Sequence, residues 1–216
     1  MFFEPPPSGE DPPVRPMPER RPWDPPPLET GAVLAVDKTV ARSPNVVIRL
    51  PTIRAFRNGC MLAVEVVQRQ GELTADDFWD LRLSSHAGSG IPRVRHADPL
   101  PRKLLRLGVR YADGSKVTTI ETAEHWARTA GDPPTRPRLS SWPASSGVHS
   151  LGASRYMGFS NFALWLWPLP PPEIFEFAVE WPIGGIELTF TELDGAAVLA
   201  TAARSTDYWP DTESGA

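Results

Sequence analysis

The stretch that decides the fold is FSNFALWLWPLPPPEIFEFAVEW, residues 159–181. Residues 159–167 are apolar on both faces of an extended chain, which is typical of a strand that is covered on both sides. One face carries Phe159, Ala163, Trp165 and Trp167, and the other carries Phe162, Leu164 and Leu166. The proline-rich run at 168–172 then makes a rigid connection.

Residues 174–181 alternate with the two-residue period of a half-buried strand. Glu176 and Glu180 lie on the outward face, and the inward face carries Phe175, Phe177, Val179 and Trp181. Because this segment and residues 159–167 are consecutive along the chain, we expect the two strands to pair as neighbours.

The same period recurs at 34–37, 46–50 and 105–111, so the chain is predicted to be mainly β. Arg57-Asn58-Gly59 contains the Asn-Gly pair that favours a tight hairpin, since both residues tolerate a positive φ. Ala112-Asp113-Gly114-Ser115 predicts a second hairpin through its Asp-Gly pair.

Two helices are expected. Thr74 is placed to cap a short helix that carries Phe78 and Trp79. Thr189 and Glu192 form a capping box, which predicts a C-terminal helix. The packed face of this helix would carry Leu193, Ala196, Ala197, Ala200 and Ala203. The helix could then cover the outer side of the 159–167 strand.

The composition fits one folded domain with flanking segments. The chain has 216 residues, 41% of them hydrophobic, and its 26 prolines exclude long helices over most of its length. We predict an antiparallel β-sandwich over 31–208, for which an immunoglobulin-like topology is one arrangement, with the C-terminal α-helix included. Residues 1–30 form a disordered, flexible Pro-rich arm, although Trp23 to Leu28 could instead strap across the sandwich. Residues 209–216 form a tail. The sequence does not decide whether the loops 84–101 and 122–155 are ordered or disordered.

Charge is unevenly spread along a chain whose formal net charge is −4. That balance makes nucleic acid an unexpected partner. One segment is nevertheless basic and forms a candidate anion or partner surface: Arg93, Arg95, Arg102, Lys103, Arg106 and Arg110. The chain from Glu173 onward is acidic. Arg106 and Arg110 have the same four-residue spacing as Glu176 and Glu180, so we expect cross-strand ion pairing if their strands are neighbours, and the anion-binding surface is the alternative.

The sequence offers no catalytic, cofactor-binding or metal-binding set. Cys60 is the only cysteine, which excludes an intramolecular disulfide and suits a small core residue in the reducing cytoplasm. The histidines fall in predicted loops without metal-ligand spacing: His86, His96, His125 and His149. Neither a secretion signal nor a membrane span is expected.

Several motifs resemble those of a family of uncharacterised actinobacterial proteins of similar length. They are Trp23 to Pro27, Gly108 to Gly114, Trp165 to Pro172 with Trp-Pro-Leu-Pro-Pro-Pro, Glu180-Trp181-Pro182 and Tyr208-Trp209-Pro210. The resemblance implies a recurrent intracellular domain and assigns no functional residue.

Two hypotheses of function follow. The first is a non-enzymatic binding or assembly module that contacts a protein partner or a second copy of itself. The second is a small hydrolase or carbohydrate-active domain that uses loop histidines and carboxylates. The sequence favours the first, because no catalytic constellation is present.

Overall fold

The computed structural model describes residues 21, 23–85, 100–120, 136–141, 149–154 and 157–209, with only the backbone described at 149–154. These residues contain ten strands, two α-helices and a short 3-10 turn at 182–184. The elements are β1 (Ala32–Arg42), β2 (Val46–Ala55), β3 (Cys60–Arg69), α1 (Ala75–Ser84), β4 (Arg106–Arg110), β5 (Lys116–Thr118), β6 (Arg138–Ser141), β7 (His149–Ser154), β8 (Met157–Trp167), β9 (Ile174–Trp181), β10 (Ile186–Asp194) and α2 (Gly195–Ala202).

The strands form two antiparallel sheets. Sheet 1 has the order β1-β2-β3-β8-β6, with β7 also paired to β8, and sheet 2 has the order β10-β9-β4-β5. The prediction of a mainly β, antiparallel fold with a C-terminal helix is confirmed. The strand order differs from the ABED and CFG sheets of immunoglobulin domains.

Both sheets bury one face in a shared core. Leu62 of β3 and Phe177 of β9 are completely buried and belong to the same hydrophobic cluster. Val198 of α2 joins this cluster, and α2 packs on β1 and β2 of sheet 1 and on β9 of sheet 2. The helix therefore helps to seal the core between the sheets.

The expected pairing of residues 159–167 with 174–181 is wrong. Strand β8 pairs with β3, β6 and β7, whereas β9 pairs with β4 and β10. Packed sheets lie about 10 Å apart, and a five-residue extended proline run reaches about 15 Å. The 168–172 segment is therefore long enough to carry the chain from one sheet to the other.

Both predicted hairpins are present, but Gly59 is needed for a different reason. Ala55 pairs with Cys60 across the first turn, and Gly114 has a φ of 83° in the second. Gly59 does not adopt a positive φ. A Cβ there would lie 2.5 Å from Cζ2 of Trp165, so glycine allows the indole ring to pack against the turn.

The helix predictions are correct for α1 and wrong in detail for α2. Thr74 caps α1 by accepting a hydrogen bond from the Asp77 amide at 3.1 Å. Residues 189–192 belong to β10 instead of a capping box, because their backbone is held extended by pairing with β9. Asp194 is the actual cap of α2, and its side chain accepts from the Ala197 amide.

The face of α2 also differs from the prediction. Val198, Thr201 and Ala202 are buried, whereas Ala200 is exposed. The helix packs against β1, β2 and β9, so it does not cover β8. Ala196, Ala200 and Ala203 of the predicted face are exposed.

Trp23 fastens the predicted strap to the outer face of sheet 1. Its side chain is 5% exposed, and its carbonyl accepts a hydrogen bond from Nε1 of Trp165 at 2.8 Å. Thr30 donates its amide to the Thr206 carbonyl at 2.8 Å, which ties this segment to the residues after α2. Residues 1–20 of the predicted arm, most of the two long loops and 210–216 of the tail lie outside the described residues.

We predict that Trp23→Ala destabilises the protein, because it empties a packed site over Trp165. Truncation of a buried tryptophan costs about 3 kcal/mol or more, which corresponds to a fall of roughly 6–12 °C in Tm for a domain of this size. Trp79→Ala is the matched control, since Trp79 is 55% exposed. Thermal unfolding that gives equal losses for both variants would contradict the docked strap.

We predict that Val198→Asp destabilises the protein by several kcal/mol, because the carboxylate would be buried without a partner. Ala200→Asp, on the exposed side of the same helix, should change the free energy of unfolding by less than about 0.5 kcal/mol. Urea unfolding of both variants measures the difference. A larger loss for Ala200→Asp would reverse the assignment of the buried face.

Candidate binding face

Among the described residues, those on the outer face of sheet 2 combine cross-strand ion pairs with exposed apolar side chains. Directly opposed residues on neighbouring strands point to the same side, so the register defines three rows across the sheet. The rows are Arg106–Glu180, then Thr118–Gly108–Ala178–Phe190, then Lys116–Arg110–Glu176–Glu192. We call these residues the outer face of sheet 2. The intervening residues Leu107, Val109 and Phe177 face the core and are buried.

Two cross-strand ion pairs cover this face. Nη1 of Arg106 lies 2.6 Å from Oε2 of Glu180, and Nε of Arg110 lies 2.5 Å from Oε2 of Glu176. The cross-strand pairing predicted from the matched four-residue spacing is thereby confirmed.

Arg106 is the more enclosed of the two arginines. Its side chain is 15% exposed, and Nη2 also donates to the carbonyls of Leu100 and Pro101. The segment that leads into β4 therefore holds the guanidinium in place. This end of the face is fixed by three hydrogen-bond acceptors.

Arg110 extends across β9 and lies over the ring of Phe190 in β10. Its Cζ is 3.9 Å from the ring centroid, which is cation–π geometry. The hydrogen bond from Arg110 lowers the pKa of Glu176, and the same bond raises the pKa of Arg110. Both groups are consequently charged at neutral pH, and the guanidinium contacts both Glu176 and the Phe190 ring.

Apolar side chains and a shallow cleft complete the face. Phe190, Ile174 and Leu188 are 37%, 51% and 57% exposed. A cleft of about 360 Å³ opens at the Arg110 end, lined by Arg110, Tyr111, Ala112, Gly114, Ile174, Glu176 and Glu192. Burial raises the pKa of Tyr111, so its hydroxyl stays protonated. The cleft thus offers both charges and an apolar wall.

The predicted basic surface is only partly assembled here. Arg93 and Arg95 lie outside the described residues. Arg102 and Lys103 are exposed in the segment before β4, and Nζ of Lys103 lies 2.7 Å from Oδ2 of Asp80 in α1. Only Arg106 and Arg110 share the outer face of sheet 2. Three of the four described cations are matched by carboxylates, which does not favour an anion site.

Cys60, Trp165 and Trp181 are buried residues. Cys60 is completely buried, and burial raises the pKa of its thiol to about 12, so it stays protonated. Trp165 and Trp181 are buried, as their strand positions predict, and Trp142 lies outside the described residues. These groups are packed for stability and are not available as a nucleophile or a stacking platform.

The histidine hypothesis falls largely on other parts of the chain. His86, His96 and His125 lie outside the described residues, and of His149 in β7 only the backbone is described. Within the ranges given above, no three His, Cys, Asp or Glu side chains are grouped to hold a metal ion.

Comparison with known proteins gives no lead on function, because no family model, curated protein or solved structure matches this chain. None of the described helices has the length and apolar character needed to span a membrane. Function is therefore inferred from the outer face of sheet 2.

We predict that the Arg106–Glu180 pair has a measurable coupling energy. A double-mutant cycle with Arg106→Met and Glu180→Gln should give about 0.5–1 kcal/mol, since Arg106 is largely shielded from water. The control is the Lys103–Asp80 pair, whose side chains are 60% and 51% exposed and should show almost none. Equal coupling in both cycles, measured by urea unfolding, would contradict the assigned role of burial.

We predict that the stabilising effect of Glu176 depends on pH. Its pKa is lowered from the ordinary value of 4.5 in the folded protein, so its contribution is full above that pH and is lost as the pH falls below it. The stability difference between the native protein and Glu176→Gln should therefore shrink between pH 7 and acid pH. A difference that is constant with pH in urea unfolding would contradict this ion pair.

Proposed function

We propose that this protein is a non-enzymatic binding or assembly module that docks a protein partner on the outer face of sheet 2. The observation that carries the proposal is Arg110, held between Glu176 and the exposed ring of Phe190. Arginine and aromatic side chains dominate binding energy at protein interfaces. Side chains that are already fixed lose little conformational freedom on binding.

The shape of this face supports a protein partner over a small molecule. Small-molecule sites are usually concave and enclose most of their ligand, whereas the cleft beside Arg110 is shallow and lies on an open sheet. Gly108 and Ala178 in the middle row have little or no side chain. A flat protein surface can therefore approach the sheet closely.

The described chemistry does not favour the hydrolase or carbohydrate-active alternative. A general acid needs a carboxyl whose pKa is raised toward neutrality, whereas the pKa of Glu176 is lowered. The thiol of Cys60 has its pKa raised by burial, which disfavours a nucleophile. We further propose a cytoplasmic location, where a lone buried cysteine would remain reduced.

Site-specific photo-crosslinking in cells of the source organism tests the proposal. We expect a crosslinking amino acid at Phe190 to give an adduct of defined mass that is lost in Arg110→Met. Asn161, exposed on the outer side of β8 in sheet 1, provides the control position and should give none. No adduct at Phe190, or the same adducts at both positions, would contradict the proposed face. Stoichiometric metal in the purified protein would instead support the enzymatic alternative.

A further inference from the structure

On the outer face of sheet 2, basic and acidic residues belong to different strands. The cationic side is formed by β4 and β5, with Arg106 and Lys116. Arg110 also starts on β4, but its guanidinium lies over the Phe190 ring of β10. The anionic side is formed by β9 and β10, with Glu176, Glu180 and Glu192. The division follows the sequence, in which a basic segment ends at β4 and an acidic one begins just before β9.

A two-fold rotation can superpose this face on itself with opposite charges in contact. An axis that runs along the strands, between β4 and β9, exchanges β4 with β9 and β5 with β10 but leaves each row at its own level. Arg106 then meets the row position of Glu180 of the second copy. An axis perpendicular to the strands would bring like charges together, so the charge pattern selects the first arrangement.

The middle row fits the same axis. Gly108 and Ala178 lie on either side of it, and their small size allows the two sheets to approach. Thr118 would meet the row position of Phe190 of the second copy, because both lie one strand farther from the axis.

The outermost charges have no ion-pair partner among the described residues. Lys116 and Glu192 are both exposed and take part in none of the salt bridges there. They lie on β5 and β10, three strand spacings or about 14 Å apart, which is too far for a pair within one chain. In the two-fold arrangement, Lys116 meets the row position of Glu192 of the other copy, and Glu192 meets that of Lys116.

The inner carboxylates can also serve both copies. Glu176 and Glu180 each accept their own arginine on Oε2, and a carboxylate has a second oxygen that can accept a further donor. The Arg106 guanidinium can therefore be shared between Glu180 of its own chain and Glu180 of the other chain without breaking the first pair.

We infer that the partner of this face is a second copy of the chain, related by a two-fold axis along β4 and β9; this rests on the proposed function. A two-fold interface is isologous, so one self-complementary patch is sufficient. The patch is roughly 14 Å wide across its four strands and extends roughly 17 Å along them. This area is small beside the roughly 800 Å² per partner of a standard interface. The dimer is accordingly weak and dissociates as salt screens its charges.

Charge reversal with mixing tests this inference by sedimentation velocity at high protein concentration and low salt. Lys116→Glu and Glu192→Lys should each lose the dimer boundary, because each places like charges opposite one another twice. An equimolar mixture of the two variants should restore the dimer, because both contacts then join opposite charges. Glu72→Lys makes the same substitution at an exposed position in the turn before α1 and should leave the dimer intact.

The outcomes separate this inference from the proposed function. A wild-type protein that stays monomeric, or a dimer that survives both reversals, would overturn the second copy as the occupant. If the Phe190 adduct then contains a different protein, the binding face stands with another partner. If Phe190 gives no adduct at all, the proposed function itself fails. Unfolding curves like that of the native protein would show that both reversal variants are folded.

Discussion

Strand β4 must pair with β9 so that Leu107 and Val109 enter the core. Both are buried, at 5% and 1% exposure. A slip of one residue would turn every side chain of β4 to the opposite face and place two arginines among apolar groups. The hydrophobic core therefore fixes that Arg106 and Arg110 lie on the outside, where the observed register sets them opposite Glu180 and Glu176. The polarised face is a consequence of how the inside is packed.

Two proline-rich segments, 25–27 and 168–172, help to close the sandwich. The 168–172 run carries the chain from β8 in sheet 1 to β9 in sheet 2. Trp23, just before the 25–27 prolines, accepts a hydrogen bond from Trp165 on the outer face of sheet 1. Exposed apolar side chains occur on the outer sides of both sheets, with Val33 and Phe159 on sheet 1 and Phe190 and Ile174 on sheet 2. We place binding on sheet 2 because its apolar side chains adjoin the Arg110–Glu176 ion pair.

Strand identity and charge spacing could be predicted from the sequence, because both follow the two-residue period. The matched spacing of Arg106 with Arg110 and of Glu176 with Glu180 predicted their pairing on the condition that the two strands were neighbours. Sheet membership could not be predicted, since a rigid proline run specifies distance without specifying which layer the next strand joins.

The apolar part of the candidate face was missed for a different reason. Thr189 and Glu192 form a local capping pattern, and a long-range ladder with β9 overrides it. Phe190 was therefore assigned to the approach of a helix and not to a strand face. The shared position of Phe190 and Arg110 depends on contacts between distant parts of the chain, which a single sequence does not display.

Intermolecular paramagnetic relaxation is the most direct measurement of the two-fold face. A spin label on Thr118→Cys in unlabelled protein would be mixed with ¹⁵N-labelled native protein at low salt. Native Cys60 should not react, because it is completely buried and burial raises its thiol pKa to about 12. The proposed dimer predicts broadening of the Phe190 and Ala178 amide signals, with the Ala63 and Ala163 signals of sheet 1 unchanged. Broadening centred on sheet 1, or none at any concentration, would contradict it.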